Sequence, residues 1–173
     1  MAVVEIALRT ILALVFAIAF ISKVRSASAF GEFAGSLADI GWLPGPARAA
    51  AVRLIPLLEA VVVVLLAIPA TVAFGFGVGA LLLAGFTVVT GAEVAKGRQV
   101  RCRCFGASSA PIGPAQIARN VVLVAESLAG LAIEPMSHGH ATGAALVLAF
   151  GLAVLAAVAL VRWDDLAYLV RTP

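Results

Sequence analysis

Cysteine, histidine and charge are all in short supply in this chain, and each shortage closes off some chemistry. Its two histidines, His138 and His140, flank Gly139 with only Glu134 nearby, too thin a set of ligands for a metal centre. There is no Ser-His-Asp order, no metalloprotease helix and no dinucleotide fingerprint, so hydrolase and nucleotide-dependent chemistries fall away. Gly75, Gly77, Gly79 and Gly85 look glycine-rich but have no phosphate-loop context; Gly75 and Gly79 fit a small-xxx-small helix contact instead. Charged residues are only 12% of the chain against 63% hydrophobic, with long uncharged runs, which marks an integral membrane protein. Period-two alternation is missing from those runs, and with it the signature of a transmembrane β-barrel.

What remains is an all-α, polytopic transmembrane helical bundle of four to five spans, forming one domain over 1–173. Crossing the hydrocarbon core takes about 20 mostly apolar residues. Five segments approach that length: 2–21, 49–68, 71–95, 115–133 and 141–161. The last carries no charge and no proline. The fourth holds Arg119, Asn120 and Glu126 and is the one that an interfacial helix could replace. Ala27-Ser28-Ala29 loosely imitates a signal-peptidase site, but Glu5 and Arg9 precede or enter the first apolar run while Lys23 and Arg25 follow it. That layout is the reverse of a secretory signal, so a retained span is expected.

If all five segments cross, Lys23, Arg25, Arg48, Arg53, Lys96, Arg98, Arg101, Arg103, Arg119, Arg162 and Arg171 share one side and Arg9 alone lies opposite. The positive-inside rule then places the amino terminus outside and the loop after the third span at the cytoplasmic face of the cell membrane. The same basic cluster makes anionic lipid headgroups of the bilayer, not nucleic acid, the expected partner. Between the first two spans, Phe30, Phe33, Leu37 and Ile40 recur on one helical face, and Trp42 precedes Pro44-Gly45-Pro46. This predicts a short amphipathic helix, either an interfacial anchor or a lid over a site at that membrane face.

Thiol chemistry has one place to occur. Cys102 and Cys104, the only two cysteines, stand in Arg101-Cys102-Arg103-Cys104-Phe105-Gly106. Two thiols one residue apart can close a small strained disulfide, of the labile kind, and the flanking arginines favour the nucleophilic thiolate. A structural bridge, or two idle thiols at a membrane boundary, are the other readings. On the cytoplasmic side disulfides are usually transient or catalytic, which weighs against a purely structural bridge.

Ionisable residues inside spans need a reason, because they are costly in hydrocarbon. Glu59 follows Pro56 well inside the second span, and Glu126 is deep in the fourth, one heptad beyond Arg119 and beside Gln116, Asn120 and Ser127. Two readings are open for the acids: interhelical glue, or a proton relay serving a redox site. Lys23 and Glu93, near span ends, are expected to snorkel toward water.

Taken in order, Arg9, Lys23, Gly41-Trp42-Leu43-Pro44, Pro56-x-x-Glu59, Cys102-x-Cys104-Phe105-Gly106 and Arg119-Asn120 resemble the MauE/DoxX family of redox-associated membrane proteins. The likeness runs from about Arg9 to Glu126, and its specific part is C-x-C-F-G followed by Arg-Asn. It implies a four- or five-helix membrane protein tied to thiol-disulfide chemistry. Methylamine-utilisation members help a partner enzyme acquire its disulfides together with a thioredoxin-like protein; the DoxX side is associated with quinone-linked oxidation. With one cysteine pair, an internal dithiol shuttle of the kind found in vitamin K epoxide reductase-type enzymes is excluded. The expectation is therefore disulfide exchange between Cys102/Cys104 and a thioredoxin-like partner, supported by Arg101, Arg103, Phe105 and Gly106. A quinone in a cleft lined by Glu59, Arg119, Asn120 and Glu126 would accept the electrons. A non-enzymatic scaffold with a structural or regulatory disulfide is the alternative, and a transporter subunit the third.

Overall fold

The computed structural model describes residues 1–40, 43–97, 113–136 and 142–163. Six α-helices follow in order: α1 (Ala2–Val24), α2 (Ala27–Ala38), α3 (Gly45–Ala67), α4 (Val72–Ala95), α5 (Pro114–Ile133) and α6 (Gly143–Val161). Short 3₁₀ turns, Pro69–Thr71 and Glu134–Met136, follow α3 and α5, and no strand occurs among the described residues. Five helices are long and apolar enough to cross a membrane; α2, of 12 residues, is not. The segment 115–133, the weakest from its sequence, forms one unbroken helix, α5.

Local chemistry sets the boundaries. Ser26 turns the chain into extended geometry after α1, and its hydroxyl accepts from the Ala29 N–H at 3.0 Å, capping α2. Pro46 and Pro114 sit in the first turns of α3 and α5, where a missing N–H costs nothing. Gln116 Oε1 accepts the Gly113 N–H at 2.7 Å at the head of α5. Helix α4 stops at Gly97, whose φ of +66° is the left-handed conformation that glycine adopts most readily. The carbonyls left over at the end of α3 are satisfied in two ways. The Thr71 hydroxyl donates to Leu65 O at 2.8 Å, and Arg9 of α1 donates from Nε to Leu66 O and from Nη2 to Ala67 O at 2.8 Å. A cation on the negative end of a helix is favourable, and here it also ties α1 to α3.

Helices α1, α3, α4 and α5 form the core, and α6 packs on the outside of α1. Leu12, Val15 and Phe16 of α1 meet Val62 and Leu66 of α3, Val72, Phe76 and Leu83 of α4 and Leu123 of α5. Association in lipid draws on close packing more than on apolar transfer, so the fit of small residues matters. A Cβ added at Gly75 would lie 2.8 Å from the Leu66 side chain, and one at Gly79 would lie 3.2 Å from Leu12 Cδ2 and 3.3 Å from Phe16 Cε2. The small-xxx-small expectation for that pair therefore holds. A third notch, Gly130 of α5, receives the ring of Phe76 with no room for a methyl group. On α6 the alanine stripe Ala149, Ala153 and Ala157 is buried, while Val147, Leu148, Phe150, Leu152, Leu155 and Val158 face outward, as a lipid-facing surface should.

These notches fix the vertical register. Gly75 meets Leu66 and Gly79 meets Val62 between antiparallel α3 and α4, so Glu59 lies level with Leu82 and Leu83. Gly130 meets Phe76 between α4 and α5, so Asn120 and Arg119 lie level with Phe86 and Thr87.

Candidate functional site

Most of the buried polar residues gather in the half of the bundle where α4 leads into, and α5 leads out of, the segment 98–112. Cys102, Cys104, Arg101, Arg103, Phe105 and Gly106 belong to that segment and lie outside the described residues, as do Trp42, His138 and His140. Its flanking residues, Gly97 and Gly113, stand at the ends of these two packed helices.

Lys23 does not snorkel. It is 1% exposed, and Nζ lies 2.8 Å from Glu59 Oε1, itself on a residue 1% exposed; Nζ also donates to Ala19 O at 3.1 Å. The reason is α2: after Ser26 the chain folds back over the end of α1, and the Phe33 ring centroid sits 5.4 Å from the ammonium. Phe33, Leu37 and Ile40 then dock against Ala51, Val52 and Ile55 of α3 and Val89 of α4. The predicted amphipathic helix is present and covers the ion pair; of the four residues expected on its inward face, Phe33, Leu37 and Ile40 dock and Phe30 is 37% exposed.

Glu93 also departs from expectation. It is fully buried in the last turn of α4, with Lys96 Nζ 3.6 Å from Oε1 and that lysine 46% exposed. On α5, Arg119, Asn120, Leu123, Ser127 and Gly130 form one buried arc, and the Ser127 hydroxyl donates to Leu123 O at 2.9 Å. Glu126 stands at the margin of that arc, half-buried, with both carboxylate oxygens inaccessible and no hydrogen-bond partner among the described residues. Arg119 and Glu126 share a face, as expected, but do not bond to each other.

The four side chains expected to line one cleft are therefore distributed differently. Glu59 is drawn to Lys23 across the α1–α3 seam, whereas α5 packs chiefly on α4. Arg119 and Asn120 are buried side by side nearer the cysteine segment, and Glu126 lies deeper at the edge of α5. A quinone's carbonyls accept hydrogen bonds; of the four residues, Arg119 and Asn120 carry donor groups, while Glu59 is paired with Lys23. Among the described residues no three His, Cys, Asp or Glu side chains converge as metal ligands would.

Lys23 and Glu93 are the residues whose burial the sequence did not reveal. The available signal was α2: an amphipathic helix directly after Lys23 must cover whatever it docks upon.

Comparison with known proteins agrees with this architecture. The family model described as "Methylamine utilisation protein MauE" matches residues 1–133. "Methylamine utilization protein MauE" of Paracoccus denitrificans is 36% identical over 130 residues, covering 71% of this chain and 66% of that protein. Its namesake in Paracoccus versutus is 34% identical over 138 residues, covering 79% of this chain and 73% of the relative. The chain thus spans about two thirds of the length of the first of these relatives. No solved structure matches.

Proposed function

We propose that this chain, which belongs to the methylamine utilisation protein MauE family, is a multi-pass membrane protein that exchanges disulfides through Cys102 and Cys104. Its partner is a thioredoxin-fold protein, and the process it serves is the one named in its relatives, methylamine utilisation. The observation that carries this reading is one of position. The only two cysteines of the chain lie between the ends of α4 and α5, the helices that bury Glu93 and Arg119 next to that segment.

The chemistry balances without a further cofactor. A thiolate of the pair attacks the partner's S–S bond, a mixed disulfide forms, and the partner's sulfur leaves as thiolate. The second cysteine then attacks the mixed bond, releasing the partner as a dithiol and leaving Cys102–Cys104 oxidised; run backwards, the same steps oxidise the partner. Arg101 and Arg103 stabilise the attacking thiolate. Lys23 and Glu59 lock α1 to α3 beneath α2. Eleven of the twelve Lys and Arg residues fall on one side of an alternating five-span path, which supports a cytoplasmic cysteine segment.

A scaffold that merely holds partner proteins is the second reading. The closed Lys23–Glu59 pair favours it, because an ion pair that ties α1 to α3 is accounted for by packing. Replacing both cysteines by serine separates the two. Exchange requires that Cys102→Ser/Cys104→Ser protein accumulate in membranes and yet fail to support growth on methylamine; growth at the normal rate would leave the scaffold.

A further inference from the structure

Glu126 lies in the middle of α5, four residues before the Gly130 notch. Since Gly130 receives the Phe76 ring between antiparallel α4 and α5, Glu126 is level with Ala80. Both of its carboxyl oxygens are inaccessible and bond to nothing among the described residues. The helices around it supply no counter-charge. Gly79, Ala80 and Leu83 of α4 carry no polar side chain, and the one charge of α4, Glu93, is about 20 Å further along that helix. Arg119 is one heptad back along α5, a rise of about 10 Å. On α1, Arg9 donates to Leu66 O and Ala67 O, and Lys23 to Glu59 and Ala19 O. Glu5 and Glu134 lie in the first turn of α1 and beyond the end of α5. An ionised carboxylate at this depth is costly, whereas the carboxylic acid is neutral and carries an O–H that a main-chain carbonyl can accept.

We propose that Glu126 is a proton-binding site in the middle of the membrane, which carries its proton at neutral pH and is the carboxyl group open to lipid-soluble carboxyl reagents. The inference is independent of the exchange reading and involves neither the cysteines nor a partner. Access follows from the place of Glu126 at the margin of the buried arc. Val122, one turn before it, is 46% exposed, and Ala125 and Ala129 beside it are exposed too. The half-buried side chain thus borders on lipid, and rotation about its own bonds brings the carboxyl out of the bundle. With a carbodiimide dissolved in the bilayer, the acid's proton passes to a carbodiimide nitrogen while a carboxyl oxygen bonds to the central carbon, giving an O-acylisourea. The acyl group then migrates from oxygen to nitrogen as a stable N-acylurea. Nothing is released and no further reactant enters. A carboxylate brings no proton to this sequence, so Glu59, closed on Lys23 at 2.8 Å, should be spared.

The test treats the purified full chain in lipid vesicles with dicyclohexylcarbodiimide at neutral pH, then maps the adduct by mass spectrometry of its peptides. Infrared spectra of the untreated wild type and of Glu126→Gln are compared in the carboxyl stretching region. The expected results are an N-acylurea on Glu126 with none on Glu59, and a protonated-carboxyl band in the wild type that is lost in Glu126→Gln. A folded wild-type protein without an adduct at Glu126 overturns the proposal, and so does a protonated-carboxyl band that Glu126→Gln leaves unchanged. If Glu126→Gln fails to fold, the wild-type adduct map decides alone. Disulfide exchange stands or falls separately, on the cysteine variants.

Discussion

A lysine at the end of an apolar helix ordinarily bends toward water, and Lys23 is held back by a single local event, the return of the chain over it. Once water is excluded, the ammonium needs an anion, and Glu59 supplies it at 2.8 Å with Ala19 O as second acceptor. Such a pair is strongly destabilising to break and nearly neutral to replace as a whole. Lys23→Met or Glu59→Leu alone should each cost about 3–5 kcal/mol, whereas Lys23→Met/Glu59→Leu should recover most of the loss. Denaturation of the detergent-solubilised protein checks this, and additive losses in the double variant would mean that the two side chains do not depend on each other.

At the scale of elements, the legible features were those carried by periodicity and length. Five long apolar runs became the five long helices, with ends shifted by a few residues where prolines and capping groups extend the helix: the run from 49 begins at Gly45 because Pro46 starts a helix well. The spacing of Phe33, Leu37 and Ile40 foretold α2 and its docking face, whereas Phe30, expected on the same face, is exposed. What could not be read is which helix meets which. Gly130 gives no sign in sequence that it houses Phe76, and nothing near Glu59 names Lys23, 36 residues earlier, as its partner. Such pairings depend on register across the bundle. The crossing pattern has its own test. Five crossings and the basic-residue bias together predict that a reporter fused at Pro173 is active in the cytoplasm; activity only outside would reverse the orientation.

At the scale of the whole molecule, one half of the bundle is glycine-notched with Glu5 and Arg9 as its charges, and the half joined to the cysteine segment gathers most of the buried polar residues. Arg9 closing α3 and the alanine face of α6 on α1 keep the first half tightly packed. In the other half, Lys23, Glu59, Glu93, Arg119 and Asn120 come from four different helices and are all at least nine-tenths buried. Two acids and two bases balance there, so the charges can be kept out of lipid without a net charge in the core. An arrangement of this kind keeps the charges inside the bundle while leaving the outer surface apolar for lipid.

The central claim, that Cys102 and Cys104 exchange disulfides with a thioredoxin-fold partner, is tested most directly by trapping. The mixed disulfide normally resolves when the second cysteine attacks, so a chain with one cysteine should hold its partner covalently. Membranes from cells expressing Cys102→Ser or Cys104→Ser would be quenched with acid and alkylating reagent, then run without reductant. The account predicts that one of the two variants shifts to a band carrying a thioredoxin-fold protein, that reductant collapses the band, and that Cys102→Ser/Cys104→Ser never forms it. If neither single-cysteine variant forms a reductant-sensitive adduct, the exchange account is contradicted.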